Sequence, residues 1–319
     1  MTNNNVHYYD ATTSTCPQCR EIVQARTIGR EGRVYLQTFC PEHGMTEALV
    51  YSDEKFYLDA QAFCKPGTMQ RVYSSKVKDG CPQDCGFCPD HEQHICMPIV
   101  EITDYCDMEC PVCLVQNESS YFMELDALKK IVDKLLLQEG QIQVISLSGG
   151  EPTCHPQYKE ILEYLVSVDG ILRVSVSTNG LRLARDPELR ALHKKLDVVV
   201  SLQFDGFKEE TYEKLRGKKE YAKIKEDLLK IIDEEDMAAS LTVTAARGVN
   251  EDEFPAIVEY FLAHDNLLSM TIQPFSHEGS GLAFAHDPMD RVTIPEVIDL
   301  VAKGSGGLVE KADFTPLPC

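Results

Sequence analysis

Three cysteines, Cys106-Asp-Met-Glu-Cys110-Pro-Val-Cys113, close an apolar stretch that reads Met97-Pro-Ile-Val-Glu-Ile-Thr-Asp104. Thiolates in this C-x3-C-x2-C spacing suit an iron–sulfur cluster, each iron of which needs a terminal ligand. Three thiolates on a four-iron cube leave one iron open. A second apolar run, Val144-Ile-Ser-Leu-Ser148, is closed by Gly149-Gly150-Glu151-Pro152-Thr153. Glycines at a strand end let backbone N–H and C=O groups approach a ligand closely, because no Cβ intervenes. Zinc would instead want four closed ligands, usually as two pairs. The triplet has no partner pair of its own.

An earlier segment repeats the spacing: Gly80-Cys81-Pro-Gln-Asp-Cys85-Gly-Phe-Cys88-Pro-Asp-His91-Glu-Gln-His94-Ile-Cys96. Only seventeen residues separate Cys88 from Cys106, too few for a helix, a strand and a glycine turn, whereas thirty-five separate Cys113 from Gly149. A complete βα unit needs the longer interval. The later triplet is therefore assigned the open-iron cluster. Cys81, Cys85 and Cys88, with Cys96 as fourth ligand, read as an auxiliary four-iron cluster; His91 or His94 as ligand, and zinc as the metal, are the alternatives. Nearer the N-terminus, Cys16-Pro-Gln-Cys19 and Cys40-Pro-Glu-His43-Gly44 bracket a strand-like run, Val34–Phe39. Two such pairs at turns describe a zinc-ribbon or rubredoxin-like knuckle holding mononuclear zinc or iron. The alternative replaces His43 by another group such as Cys64.

The elements that must position these groups emerge from residue 97 onward. Apolar, β-branched runs at 97–104, 143–148, 171–177, 196–203, 239–245 and 268–274 predict strands. Helical periodicity falls between them: Leu125, Leu128, Val132, Leu135 and Leu136; Ile161, Leu162 and Leu165; Tyr221, Ile224, Leu228, Leu229 and Ile232. Alternating strands and helices predict parallel β-structure covered on both faces. Six units point to an α/β fold with a partial (β/α)6, TIM-like barrel, whose chemistry belongs at the carboxyl ends of the strands. The expected division is a metal knuckle over 1–62, an auxiliary-cluster segment over 63–96, the barrel over 97–285 and an extension over 286–319.

Composition narrows the partners. The chain of 319 residues carries 31 basic and 51 acidic side chains, a net charge of −20. Nucleic acid is an unlikely partner for a chain with no basic run. No stretch nears the ~20 apolar residues that cross a bilayer. With no export signal at the N-terminus, and thirteen cysteines in tight pairs rather than a disulfide framework, the reducing cytoplasm is the expected compartment.

The cysteine triplet and the Gly-Gly-Glu-Pro turn, one βα unit apart, resemble the signature of the radical SAM superfamily. The resemblance implies that the open iron binds the amino and carboxylate groups of S-adenosylmethionine (SAM), with Gly149, Gly150, Glu151 and Pro152 along its methionine moiety. The strand ends supply further candidates. Ser177, Thr178 and Asn179 could hydrogen-bond the ribose or carboxylate, and Ser201, Gln203 and Asp205 point at SAM or substrate. All are equally apt as turn residues and helix caps. Arg216-Gly217 reads as a solvated helix end.

Over nearly the whole chain, the knuckle pairs running through the double-cysteine segment into Cys106 resemble the tetraether lipid synthase family, some members of which carry the label of radical SAM pterin methyltransferases. The implied chemistry is reductive cleavage of SAM at the Cys106, Cys110 and Cys113 cluster, with an electron from a ferredoxin or flavodoxin. Hydrogen abstraction from an unactivated C–H bond and carbon–carbon bond formation on a lipid chain would follow. Methylation of a pterin-like heterocycle and peptide maturation are the alternative activities; an iron–sulfur carrier is the non-enzymatic one. Cys319, after Pro-Leu-Pro, reads either as the first ligand of a further cluster in a longer relative or as an incidental thiol.

Overall fold

The computed structural model describes residues 6–316 except 66, 68, 74, 81–83, 85–87, 90–92, 116–120, 278, 285 and 286. The chain begins with an antiparallel meander of β1 (Val6–Thr15), β2 (Ile22–Arg30), β3 (Arg33–Cys40) and β4 (Gly44–Tyr51). Glu31 and Gly32 both adopt positive φ, 52° and 73°, in the two-residue loop between β2 and β3. That backbone twist matches the flanking strands. Only the region of β3 was legible in the sequence. Strand β1 is exposed along most of its length, so it carries no apolar alternation to detect. Helix α1 (Glu54–Ala62) follows, capped by the Asp53 carboxylate, which accepts from the Phe56 N–H at 2.9 Å.

Six parallel strands then alternate with helices. They are β5 (Ile99–Thr103), α2 (Leu125–Glu139), β6 (Ile145–Gly149), α3 (Tyr158–Ser167), β7 (Val174–Thr178), α4 (Leu181–Arg185), α5 (Pro187–Lys195) and β8 (Val199–Gln203). After these come α6 (Glu209–Arg216), α7 (Glu220–Glu234), β9 (Ala239–Ala245), α8 (Phe254–Ala263), β10 (Leu267–Pro274) and α9 (Ile294–Gly304). Strand order in the sheet follows chain order from β5 to β10. This is the partial (β/α)6 barrel that the alternation of runs predicts. Its core joins Ile102, Leu147, Val176, Leu202, Leu241 and Val243 of the strands to Leu128, Ile161, Leu228 and Ile257 of the helices. Each such side chain contributes roughly 1.5–3 kcal/mol on burial. With the strands clamped this way, their carboxyl ends are fixed in space, and all six open toward the same end.

The meander is fastened to the barrel near α9. Leu49 N–H donates to Pro288 C=O at 2.9 Å, and the Ser52 and Thr293 hydroxyls lie 2.8 Å apart. Thr293 is also the N-cap of α9, in a reciprocal capping box with Glu296. Among the described residues, no helix is long and apolar enough to cross a membrane.

Candidate active site

The loop after β5 carries Cys106, Cys110 and Cys113, and the two glycines at the end of β6 hold it in place. Gly150 N–H donates to Thr103 C=O at 2.8 Å and Glu151 N–H to Tyr105 C=O at 2.7 Å. A Cβ on Gly149, whose φ is +122°, would stand 1.9 Å from the Thr103 oxygen; one on Gly150 would stand 2.2 Å from the Tyr105 oxygen. Glycine is required at both positions because backbone meets backbone there. The partner they approach most closely is thus the cysteine loop itself, which the sequence could not reveal.

A cavity of about 200 Å³ opens above that loop, walled by Cys106, Met108, Cys110, Cys113, Ser148, Gly149, Gly150, Ser177, Thr178, Asn179, Ser201, Gln203, Arg216 and Thr242. The strand-end candidates Ser177, Thr178, Asn179, Ser201 and Gln203 therefore converge with the cysteines. Glu151, Pro152 and Asp205 do not reach this wall. The Glu151 carboxylate is fully buried and accepts from Thr153 N–H (3.1 Å), Thr153 Oγ1 (2.6 Å), Thr178 Oγ1 (2.8 Å) and Asn179 N–H (2.7 Å). It ties the end of β6 to the end of β7. Pro152 is buried in the 3-10 turn that follows.

Asp205 plays the corresponding part under β8 and β9. Its buried carboxylate accepts from Arg216 Nε (2.6 Å) and Nη2 (3.0 Å), Thr244 N–H (3.0 Å) and Gln203 Nε2 (2.5 Å). Arg216 ends α6 as expected, but the side chain is not solvated: it turns inward to this bidentate pair and forms part of the cavity wall. Burial opposes its charge, yet the Asp205 pair more than offsets that and raises its pKa. Lys225, on α7, is also fully buried. Its ammonium donates to the Gln203 backbone oxygen (2.8 Å) and to Gln203 Oε1 (2.7 Å). Burial pulls its pKa down to about 7, against the opposing pull of Asp205.

Burial keeps the Cys106 and Cys110 thiols of this loop from ionising on their own. Burial, reinforced by the nearby Glu151 and Asp107 charges, pushes Cys106 up to about 12 even though Met108 N–H donates to its sulfur at 3.4 Å. Cys110 is raised by burial and partly pulled back by the Arg216 guanidinium, which hydrogen-bonds it. A metal that binds here releases these protons as it takes the thiolates. Three sulfur donors on one loop, with hydroxyls, amides and one guanidinium opposite, fit a cluster with an open iron beside a polar ligand. A second cavity of about 390 Å³ adjoins the first, sharing Cys113, Gln203, Arg216 and Thr242, and adds Thr244, Gln273, Phe275 and Ser276 from β9, β10 and the following turn.

A separate donor set lies in the meander. Cys16 and Cys19 sit in the β1–β2 turn, while Cys40 ends β3 and His43 lies in the β3–β4 turn. The donor atoms of all four lie within 4.8 Å of one another. The Cys19 and Cys40 sulfurs are 3.8 Å apart, and His43 Nδ1 is 3.7 Å from Cys16 Sγ and 3.5 Å from Cys40 Sγ. Thiolates ~2.3 Å from a tetrahedral zinc would stand about 3.8 Å apart. The set is therefore spaced for one ion before it arrives. His43 completes it, while Cys64 is exposed and outside the group. The Cys16 thiol is held down at about 6, chiefly by the backbone N–H of Cys19.

Of the proposed auxiliary ligands, Cys81 and Cys85, with the alternative His91, lie outside the described residues, as does Cys319. Cys88 is buried and Cys96 exposed. Asp84 shapes the turn into this segment, accepting from the N–H groups of Lys78 (2.6 Å), Asp79 (2.5 Å) and Gly80 (2.8 Å). Lys225 was missed in the sequence although a signal existed: it occupies the apolar stripe of Tyr221, Leu228, Leu229 and Ile232.

Comparison with known proteins agrees with this geometry. Residues 75–261 match the radical SAM superfamily, and residues 8–52 match the HMPTM N-terminal zinc ribbon domain. The 7,8-dihydro-6-hydroxymethylpterin dimethyltransferase of Methanocaldococcus jannaschii is 29% identical over 313 residues, covering 96% of this chain and 61% of the relative. The GTP 3',8-cyclase of Chlorobaculum tepidum is 28% identical over 177 residues, 55% of this chain and 53% of that protein. The chain thus spans little more than half the length of these relatives. Among solved structures, Streptococcus suis SuiB bound to S-adenosylmethionine superposes with a TM-score of 0.52 at 14% identity, over 65% of this chain and 46% of that one.

Proposed function

The chain belongs to the radical SAM superfamily, and from that premise we propose that it activates a small polar heterocycle of the pterin class for transfer of a one-carbon group. Cys106, Cys110 and Cys113 would hold a four-iron cluster, and the walls formed by Gly149, Gly150, Ser177, Thr178, Asn179, Ser201 and Gln203 would hold SAM. Bound there, cluster and SAM supply a carbon-centred radical able to take hydrogen from an unactivated C–H bond. The chain's own residues set the stage for that event. Glu151 and Asp205 lock the strand ends, Arg216 is held by Asp205 in the wall where SAM would lie, and the apolar packing beneath excludes water.

The observation that carries the substrate reading is the outer cavity. Val112, Leu114, Pro274 and the one aromatic, Phe275, give it an apolar surface, and Gln203, Arg216, Thr242, Thr244, Gln273 and Ser276 set polar groups among them. A flat heterocycle can stack on the Phe275 ring and meet the Gln273 and Ser276 groups at its edge. The archaeal relative named for a pterin supports the same choice over the lipid chain. The test is incubation of the reconstituted, reduced protein with 7,8-dihydro-6-hydroxymethylpterin and excess methyl-labelled SAM, one equivalent being cleaved to the radical and a second supplying the methyl group and leaving as S-adenosylhomocysteine. Methylated pterin in the mass spectrum is expected. An unchanged pterin, in a preparation that cleaves SAM, would overturn the substrate assignment and leave the radical chemistry standing.

A further inference from the structure

Lys225 is a buried cation with no carboxylate in ion-pair contact among the described residues. Such a group is costly unless something compensates its charge. Its nearest polar partners are both on Gln203, a neutral residue. Yet the face of α7 that carries it is the face that meets the cysteine loop: Tyr221 and Ala222, one turn earlier, pack with Met108 against Cys106 and Cys110. Arg216 also lies near Cys110, but Asp205 neutralises it through a two-point contact. Lys225 is the cation left over.

Resting on the assignment of the cluster to Cys106, Cys110 and Cys113, we propose that Lys225 is an electrostatic positioning residue for that cluster. A cube held by three thiolates is anionic, and becomes more so when it accepts an electron. An anionic cluster beside it sustains the positive charge of Lys225 against burial, and that charge, fixed by Gln203 in a low-dielectric layer, in turn favours the reduced form and makes electron uptake easier. The same contacts orient Gln203. Lysine has only donors and ionised aspartate only acceptors, so Oε1 must face Lys225 and Nε2 must face Asp205. The amide is thereby set at the junction of the two cavities.

The test is an EPR-monitored redox titration without SAM, comparing wild type with Lys225→Met, Lys225→Gln and Lys225→Arg. The relevant signal is the one that changes when SAM is added to a parallel sample. For Lys225→Met the ratio of reduced to oxidised cluster, at the wild-type midpoint, should fall about tenfold, roughly 59 mV for a one-electron couple. Lys225→Gln, which keeps a donor but no charge and serves if the methionine variant does not fold, should fall likewise; Lys225→Arg should stay near wild type. A ratio within about twofold of wild type in either folded neutral variant overturns the proposal. Failure of the cluster assignment looks different: wild type would lack a SAM-responsive signal, or Cys110→Ala would retain it.

Discussion

Gly150 shows how much of this site is decided by single atoms. A methyl group there would overlap the Tyr105 carbonyl at 2.2 Å and its carbon at 2.5 Å, neither of which can move without moving the cysteine loop. Gly150→Ala is therefore expected to lower the iron and sulfide bound at the barrel by at least about half while leaving zinc in the meander at one equivalent; elemental analysis of the reconstituted variant checks this. Full iron loading would mean the loop tolerates displacement. Residues that line the cavity directly, such as Ser177, Asn179 and Gln203, were legible in the sequence because polar groups at strand ends need a reason to be there. Glu151, Asp205 and Arg216 were singled out too, but their roles as buried ties were not legible, nor was Lys225, because these depend on burial and on partners 11–39 residues away. Spacing alone exposes neither.

At the scale of elements, the barrel strands could be read and the ribbon strands mostly could not. Strands β6 to β9 are buried against helices and written in β-branched and apolar residues, so the runs and the structure coincide closely. In the meander the exposed face dominates, and only the metal-ligand pairs announced a unit. Those pairs do the work a core would otherwise do: Cys16, Val23 and Cys40 form a small buried cluster around the donor set, and little apolar surface is added. Cys40→Ser should release the metal and lower the midpoint of thermal unfolding of the meander by several degrees, with SAM cleavage retained because the ligands lie outside the barrel. Zinc content together with circular dichroism during a thermal scan would establish it. Retained metal at one equivalent would show that serine, or another residue, completes the set.

Taken whole, the molecule is a radical SAM barrel with a metal ribbon secured beside α9. The order of the six strands, their common polar end and the two adjoining cavities follow from the βα alternation visible in the chain. What the alternation could not convey was the lining of the outer cavity, since Thr244, Gln273 and Phe275 converge there from β9, β10 and the turn beyond. The central claim concerns the cluster on the later cysteine triplet. Its most direct measurement is anaerobic reconstitution with iron and sulfide, dithionite reduction in the presence of SAM, and quantification of 5'-deoxyadenosine. The account predicts turnover in wild type and none above background in Cys110→Ala, with Cys88→Ala still cleaving SAM. Cleavage surviving in Cys110→Ala, or abolished only in Cys88→Ala, would contradict it.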